Sequence, residues 1–165
     1  MERFDYHPRA TVAVPEIPGL TIREIDMDRI AAIRDMNRII FKEERIINTF
    51  ERDDLLMLEA RVDGEPVGFK IGYRENRHTF YSAKGGVMPG FRRKGIAVAL
   101  LGEMMRVVAE RGYRRLSFDT FPNLHPGMTI LALDQGFQLT KSDFNSAYKE
   151  YRLRFEKRVV KSDDS

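Results

Sequence analysis

The chain contains no cysteine and only three histidines among its 165 residues. Disulfide bonds, thiolate nucleophiles and zinc sites built on cysteine are therefore excluded. The histidines, His7, His78 and His125, lie far apart in the sequence and lack the spacing that is typical of metal ligands. We expect no bound metal.

Long hydrophobic runs are also missing. No apolar stretch reaches the roughly 18 residues that a membrane-spanning helix needs. Residues 1–19 carry charges and three prolines but no apolar core, so they do not resemble a secretory signal peptide. We therefore expect a cytoplasmic protein without a membrane partner.

An excess of charge of one sign is absent as well. The net charge is +3, from 28 basic and 25 acidic side chains. Basic residues cluster at 92–94 and 111–115, but no aromatic residues alternate with them in the pattern typical of nucleic-acid binding. We expect no nucleic-acid partner.

The composition is typical of one ordinary folded domain. Hydrophobic residues make up 42% of the chain and charged residues 32%, which argues against extensive disorder. A chain of this length suits a single hydrophobic core. We predict one domain over residues 1–165, with an irregular N-terminal arm at 1–19 and a charged, frayed tail at 157–165.

The periodicity of apolar residues predicts the order of the secondary-structure elements. We predict strands at 20–25, 55–62, 66–73, 79–88, 115–121 and 148–155, a further strand starting at 137–139, and helices near 30–40, 42–50, 96–111 and 128–135. Hairpins in the first half and a strand–helix–strand crossover in the second indicate an α/β (α+β) fold. Its sheet should be mixed and mostly antiparallel, with helices on both faces.

One stretch, residues 86–97, has the parts of a phosphate-binding site. A strand ends near Met88, Pro89 and Gly90 break it, and three cations lead to Gly95 and an amphipathic helix. The N–H groups and the dipole of a helix N-terminus attract anions, and a glycine lets a phosphate approach the backbone closely. The stretch is neither a Walker A loop nor a Rossmann fingerprint.

The same stretch resembles the pyrophosphate loop of the GNAT superfamily of acyl-CoA N-acyltransferases. Arg92-Arg93-Lys94-Gly95-Ile96-Ala97 is similar to that family's Arg/Gln-x-x-Gly-x-Gly/Ala pattern, and Gly86-Val87-Met88-Pro89 to the strand before it. Asn123, Met128 and Gly136-Phe137 are similar to the family's second half. The resemblance is sharp over residues 86–137 and rests on the order of elements elsewhere.

The resemblance implies an N-acetyltransferase that moves an acetyl group from acetyl-CoA to a primary amine of a small molecule or peptide, by direct attack on the thioester. The loop 92–97 would bind the pyrophosphate through the backbone of Arg93 to Ala97, and Gly86, Val87 and Met88 would line the pantetheine arm. The Met88 N–H would polarise the thioester carbonyl as an oxyanion donor. Asn123 would either bond a pantetheine amide or cap the turn before Pro126.

The chain departs from the family at the residues that move protons. Many members carry a tyrosine four residues before the glycine of Gly-Phe, where this chain has Ala132, and a glutamate eleven residues before the loop, where it has Tyr81. Tyr81 is a candidate to relay a proton through water, or it is an ordinary sheet residue. Asp119 is the second candidate for a base. The alternative is a non-catalytic member that binds or senses acyl-CoA.

Four further polar residues have a structural interpretation that we prefer. We expect Glu59 to face solvent from its strand, Glu43 and Glu44 to lie on a solvated helix face at the substrate side, and His125 to be an idle loop residue. Family members often pair, and the alternating strand at 148–155 is a candidate surface for a homodimer. The same strand would otherwise complete the core of a monomer.

Overall fold

The computed structural model of the protein describes residues 16–161, so the predictions for residues 1–15, including His7, and for 162–165 lie outside the described residues. The described chain forms two compact units. The large unit comprises residues up to Phe118 together with the segment from Arg158 onward, and the small unit comprises residues 119–157. None of the helices within 16–161 has the length and hydrophobicity needed to cross a membrane.

The predicted elements appear in the predicted order, with one helix missing. The large unit contains β1 (Leu20–Ile25), α1 (Ile30–Phe41), β2 (Leu56–Val62), β3 (Glu65–Arg74), β4 (Thr79–Val87), α2 (Ile96–Glu110) and the first residues of β5 (Arg115–Thr120). The small unit continues from the end of β5 with α3 (Pro126–Asp134), β6 (Gln138–Asn145) and β7 (Glu150–Arg158).

The sheet of the large unit is mixed, as predicted. Strands β1 to β4 are antiparallel neighbours in chain order, and β5 lies next to β4 in the parallel direction. Helix α2 is the crossover between these two parallel strands. The predicted fold class is therefore confirmed.

Helices cover both faces of this sheet. On one face, Ile33 and Met36 of α1 share a buried cluster with Phe69 and Ile71 of β3. On the other face, α2 packs so closely on the glycines of β3 that a Cβ on Gly68 would lie 3.2 Å from Leu100. Because side chains alternate along a strand, β3 presents Phe69 and Ile71 to α1, and the two glycines Gly68 and Gly72 lie on the face toward α2.

The predicted helix at 42–50 is wrong. Lys42 adopts a left-handed conformation (φ +58°) that ends α1, and the following residues form bends without a helix. The buried Asn37 side chain holds this loop by donating to the Glu43 and Arg45 carbonyls at 2.8 and 3.3 Å. A side-chain amide therefore satisfies carbonyls that a helix would have bonded internally.

The prediction of a frayed tail from residue 157 is also wrong for its first residues. Strand β7 continues to Arg158. Val159 is buried, and its N–H donates to the Arg114 carbonyl at 2.9 Å. Val159 therefore fixes this segment to the large unit by an apolar and a backbone contact, which a charged composition does not reveal.

The small unit is built around the hairpin of β6 and β7. The two strands pair antiparallel, with Asp143 opposite Arg152 and Phe144 opposite Tyr151. Phe137 and Phe155 are buried, as is Ala132 of α3. The outer residues of the hairpin are polar or aromatic and largely exposed.

Candidate active site

The backbone of β4 presents two peptide N–H groups away from its neighbour β3. The Met88 N–H donates to the Val67 carbonyl at 2.7 Å, so Met88 forms a hydrogen-bonded pair with β3. In an antiparallel ladder the backbone groups of alternate residues point toward and away from the partner strand. The N–H group of Gly86 therefore also points to β3, whereas the N–H groups of Gly85 and Val87 point away from it.

The outward edge of β4 pairs with β5 only over its first part. Thr79–Tyr81 pair with Arg115–Ser117. The register between β3 and β4 then shifts, because Ala83 is an extra residue between Ser82, opposite Gly72, and Lys84, opposite Ile71. Beyond this bulge, no further pairing of β4 on its outward side occurs in the described part of the chain. A bulge next to a splayed edge exposes backbone donors for a ligand.

The loop from Met88 to Gly95 joins this edge to α2. Pro89–Phe91 form a single 3₁₀ turn, and the Arg92 side chain donates through Nε to the Val87 carbonyl at 3.2 Å. Arg93 and Gly95 both have positive φ, +63° and +91°, which turns successive backbone groups toward one side. The cations of Arg92, Arg93 and Lys94 are exposed around this turn.

Helix α2 begins directly after Gly95, which is its N-cap and offers no side-chain acceptor. The N–H groups of the first helical turn, beginning with Ile96 and Ala97, have no intrahelical partners. Ile96 is buried against the sheet, whereas Ala97 lies on the exposed side of the first helical turn. The loop and helix together provide N–H donors, a favourable dipole and three cations for an anion.

Gly86 is required by packing against α1. A Cβ on Gly86 would lie 3.0 Å from Ile40 and 3.1 Å from Phe41. A Cβ on Gly85, on the opposite face, would lie 3.1 Å from the Phe69 carbonyl and 3.3 Å from Cγ of Lys70. Both glycines let neighbouring groups lie directly over β4.

Tyr81 lies on β4 just before the bulge. Its half-buried ring is 5.6 Å from the ring of Tyr73, over which the Arg52 guanidinium lies at 4.6 Å. Tyr81 and Tyr73 are paired across β3 and β4. An arginine over an aromatic cluster supplies positive charge close to these phenols.

Asp119 and Asn123 belong to the small unit. Asp119 lines a cleft of about 430 Å³ formed by charged and polar side chains: Thr140, Lys141, Asp143, Arg152, Arg154 and Glu156. Arg152 pairs with Asp143 at 2.9 Å, and this guanidinium lowers the pKa of the Asp143 carboxyl. Asn123 donates to the Glu150 carboxylate at 3.1 Å.

The expectation that Glu59 faces solvent is wrong. Its side chain is 2% exposed and accepts hydrogen bonds from the guanidinium groups of Arg29 and Arg61. Arg29 precedes α1, so this ion pair attaches the start of the helix to β2. Glu59 is thus a structural residue inside the large unit.

Glu43 and Glu44 lie in the loop after α1 rather than on a helix. Glu43 pairs with Lys84 of β4 at 2.6 Å, and Glu44 pairs with Arg38 at 2.7 Å. The hydrogen bond from Arg38 lowers the pKa of Glu44. His125 precedes α3 and makes no side-chain capping bond. Within residues 16–161, no three His, Asp or Glu side chains come together as a metal site.

Sequence reasoning missed Lys70, whose side chain is 7% exposed in the middle of β3. Burial lowers the pKa of its ammonium to about 8. The signal was present in the sequence, because Lys70 is the single charged residue in the otherwise apolar run 66–73. Burying a lone charge in such a run destabilises the folded state unless a counter-charge or hydrogen bond compensates it.

Comparison with known proteins agrees with this arrangement. Residues 43–123 match the family of acetyltransferase (GNAT) domains. A GNAT family acetyltransferase from Elizabethkingia anophelis with acetyl-CoA bound is similar with a TM-score of 0.74 and 16% identity, covering 86% of this chain and 99% of that chain. A search of curated protein sequences finds no significant match.

Two further solved structures share the fold. For the IAA acetyltransferase from Bacillus cereus the TM-score is 0.73 at 19% identity, covering 85% of this chain and 99% of that chain. For the ribosomal-protein-S18-alanine N-acetyltransferase from Escherichia coli it is 0.72 at 15% identity, covering 88% and 97%. With the bulged strand β4 and the glycine-capped helix α2, these comparisons identify a GNAT acetyltransferase domain over residues 43–123 and the GNAT fold in the chain.

Proposed function

We propose that this protein is an N-acetyltransferase that transfers the acetyl group of acetyl-CoA to a primary amine of a small molecule or peptide. The observation that carries the proposal is the combination of two outward N–H groups on β4, those of Gly85 and Val87, with the N–H groups of residues 93–97 at the N-terminus of α2. Two of the similar structures are named for a substrate, one as a ribosomal-protein-S18-alanine N-acetyltransferase and one as an IAA acetyltransferase. The first name describes an N-acetyl transfer, which supports an amine acceptor without selecting one.

The loop would bind the pyrophosphate. Backbone N–H groups from Arg93 to Ala97 surround the turn, and the cations of Arg92, Arg93 and Lys94 lie beside it. The pantetheine arm would extend from there along Met88, Val87 and Gly86 toward the bulge, in the manner of an added strand. Asn123 of the small unit remains our candidate for a further contact to the pantetheine amides.

The oxyanion donor is better assigned to Gly85 or Val87 than to Met88. The Met88 N–H is engaged by Val67, whereas the N–H groups of Gly85 and Val87 point toward the unpaired edge. Gly85 lies further from the pyrophosphate loop, where the end of the pantetheine arm would place the thioester. A fixed N–H donor there would stabilise the negative charge that develops on the carbonyl oxygen.

The attacking amine must first lose a proton. With a pKa near 10.4, only about one lysine-like amine in a thousand is neutral at pH 7.4, a deficit of roughly 4 kcal/mol. Tyr81 near the bulge and Asp119 at the end of β5 are our candidates to accept this proton, directly or through water. The assignment of Tyr81 rests on its position before the bulge of β4, and that of Asp119 on its place near the end of β5 in the sequence.

The first experiment is a thermal shift with acetyl-CoA, followed by a thiol-release assay over a panel of amines. At about 100 times its Kd, acetyl-CoA should add about 2.7 kcal/mol of stability, which raises Tm by roughly 5–10 °C for a chain of this size. Binding without thiol release from any amine would favour the non-catalytic sensing member. The absence of any shift at millimolar acetyl-CoA would refute the proposal.

Tyr81→Phe and Asp119→Asn test the two candidate bases. A water relay contributes less than a dedicated base, so Tyr81→Phe should lower kcat/KM by no more than about tenfold. A thousandfold loss in either folded variant would identify that residue as the dedicated base. Asp134→Asn, which changes a carboxylate on α3, serves as the charge-matched control.

A further inference from the structure

Lys70 is a buried cation of the large unit, on the strand next to the one that carries the proposed thioester site. It lies on β3 opposite Gly85 of β4, and its Cγ is 3.3 Å from the position that a Cβ of Gly85 would occupy. Because Gly85 has no side chain, the lysine stem can lie over β4. This places the stem next to a residue whose N–H points to the unpaired edge.

Among the described residues of the large unit, no charged group compensates this cation. The residues on the same row of β3 are Gly68 and Gly72, and Leu58 faces Lys70 from β2. From α2, that row is contacted by Ile96, Leu100 and Met104, while the nearby Glu103 and Arg106 pair with each other at 2.6 Å. Within residues 16–161, the Lys70 ammonium has neither a hydrogen bond nor an ion pair.

The cause of the lowered pKa agrees with these surroundings. Burial lowers this pKa to about 8, and no charged group among residues 16–161 contributes to the shift. A buried cation without a counter-charge is destabilising, so a ligand that brings a negative charge to it would be favoured. In thioester aminolysis the negative charge arises first on the carbonyl oxygen and then on the departing sulfur.

We propose that Lys70 is the acid that protonates the sulfur of the departing CoA, in place of the tyrosine that Ala132 replaces. The proposal rests on the proposed acetyl transfer. The amine nitrogen forms a bond to the thioester carbon, the C–S bond breaks, and a proton moves from Nζ of Lys70 to the sulfur to give CoA–SH. The amine gives up its own proton to water or to the base, and the neutral Lys70 regains one from water after CoA leaves.

The proton affinities of donor and acceptor match. An ordinary thiol has a pKa of about 8.5, close to that of the buried lysine. An ordinary exposed lysine would hold its proton about 300-fold more tightly, so burial makes Lys70 an efficient donor to a thiolate. The contact with Gly85 places the Lys70 stem next to the proposed thioester site, and burial makes its ammonium a stronger acid.

A titration of bound CoA tests the proposal without knowledge of the amine. The thiolate of CoA absorbs in the ultraviolet, and the chain adds no thiolate signal because it contains no cysteine. A cation beside the sulfur should lower the pKa of the bound thiol by about 1–3 units. We expect this shift in the wild type and its loss in Lys70→Met. Lys84→Met removes a lysine from the opposite face of the neighbouring strand and should titrate like the wild type.

A second variant restores the acid. In Lys70→Cys the new cysteine is the chain's only one, so alkylation with 2-bromoethylamine converts that position alone to thialysine. The downward shift of the bound thiol's pKa should return in this protein. With an active amine, Lys70→Met should lower kcat by about 100-fold and leave the KM for acetyl-CoA within about threefold, and thialysine should recover most of the rate.

Three outcomes separate the possibilities. Equal thiol titrations in wild type and Lys70→Met, with both binding CoA, would overturn the role of Lys70 while leaving the proposed function intact. An acetyl group found on Lys70 by mass spectrometry after incubation with acetyl-CoA would also overturn it, because Lys70 would then be an acceptor. Failure of the wild type itself to bind CoA would remove the proposed function and this proposal together.

Discussion

At the scale of single residues, two buried charges in the large unit have opposite surroundings. Glu59 is neutralised by Arg29 and Arg61, whereas Lys70 has no counter-charge among residues 16–161. The ion pairs of Glu59 stabilise the connection between α1 and β2. The buried Lys70 ammonium lowers the stability of the folded state, which natural proteins tolerate where function requires it.

The cost of Lys70 should appear in the pH dependence of stability. Its pKa is about 8 in the folded protein against 10.5 for an exposed lysine, so the penalty is complete below pH 8 and disappears as the pH rises toward 10.5. Lys70→Met should therefore be more stable than wild type at pH 7, by up to about 3 kcal/mol, and the difference should shrink as the pH rises. Urea denaturation at neutral and alkaline pH measures both.

The control for this experiment is Lys161→Met, which changes an exposed lysine near the C-terminus. It should differ from wild type by less than about 0.5 kcal/mol at either pH. If Lys70→Met were less stable than wild type at pH 7, burial of the ammonium would not be the dominant effect at this position.

Removal of the Glu59 carboxylate should destabilise the folded protein, which is the opposite of the effect expected for Lys70→Met at pH 7. In Glu59→Ala the guanidinium groups of Arg29 and the half-buried Arg61 lose their shared acceptor. We expect a loss of about 2–3 kcal/mol in the free energy of unfolding. Glu65→Ala, at an exposed position of the next strand, should change it by less than about 0.5 kcal/mol.

At the scale of elements, α2 is bounded by two glycines with the same conformation. Gly95 at its start and Gly112 after its end both have φ of +91°. In this region a β-branched residue is strained. Gly95 also lies in the loop that would meet the pyrophosphate, whereas Gly112 is at the other end of the helix.

This pair allows strain to be separated from binding. Gly95→Val should abolish detectable acetyl-CoA binding, because the side chain and the altered backbone both block the approach of an anion. Gly112→Val carries the same backbone strain and should lower Tm by a similar amount but leave Kd within about twofold, an expectation for a site that does not touch ligand. Isothermal titration measures Kd, and equal affinity in the two variants would show that the loop is misassigned.

Arg92→Ala belongs to the same comparison. Its Nε donates to the Val87 carbonyl, so the side chain both supports the loop and contributes charge. We expect weaker acetyl-CoA binding by about tenfold, less than for Gly95→Val, because the backbone donors remain.

At the scale of the whole molecule, the exposed aromatic residues of the small unit indicate where two copies could meet. Tyr148 and Tyr151 are both 60% exposed, and the ring of Phe144 lies 5.3 Å from that of Tyr151. Phe155, which the sequence placed on the same surface, is buried and belongs to the core. Within residues 148–155, the surface available for a homodimer is therefore the one formed by Tyr148, just before β7, and Tyr151 on β7.

We predict a homodimer that depends on this surface. Sedimentation at tens of micromolar should give the mass of a dimer for wild type, and Tyr151→Glu should shift it to the monomer, because a charge in an apolar contact is costly. Met27→Glu, an exposed apolar position of the large unit, should remain dimeric. A monomeric wild type would contradict the prediction.

The amino-acid sequence by itself determined most elements and predicted which loop would bind an anion. Alternation along β1 to β4, the Asp63-Gly64 turn and the amphipathic face of α2 are local signals, so they predict strands, a hairpin and a helix without knowledge of the neighbours. The glycine at position 95 and the cations before it identify the loop because a phosphate site also uses contiguous residues.

Only the tertiary structure decided the state of groups whose partners are distant in sequence. Glu59 meets Arg29 across 30 residues, the Met88 N–H meets Val67 across the sheet, and the loop after α1 is held by Asn37 instead of forming a helix. The sequence marks Lys70 as the single charge in an apolar run, but only the packing of the neighbouring elements shows that it is buried. Burial and hydrogen-bond partners are properties of packing between elements, which local periodicity does not contain.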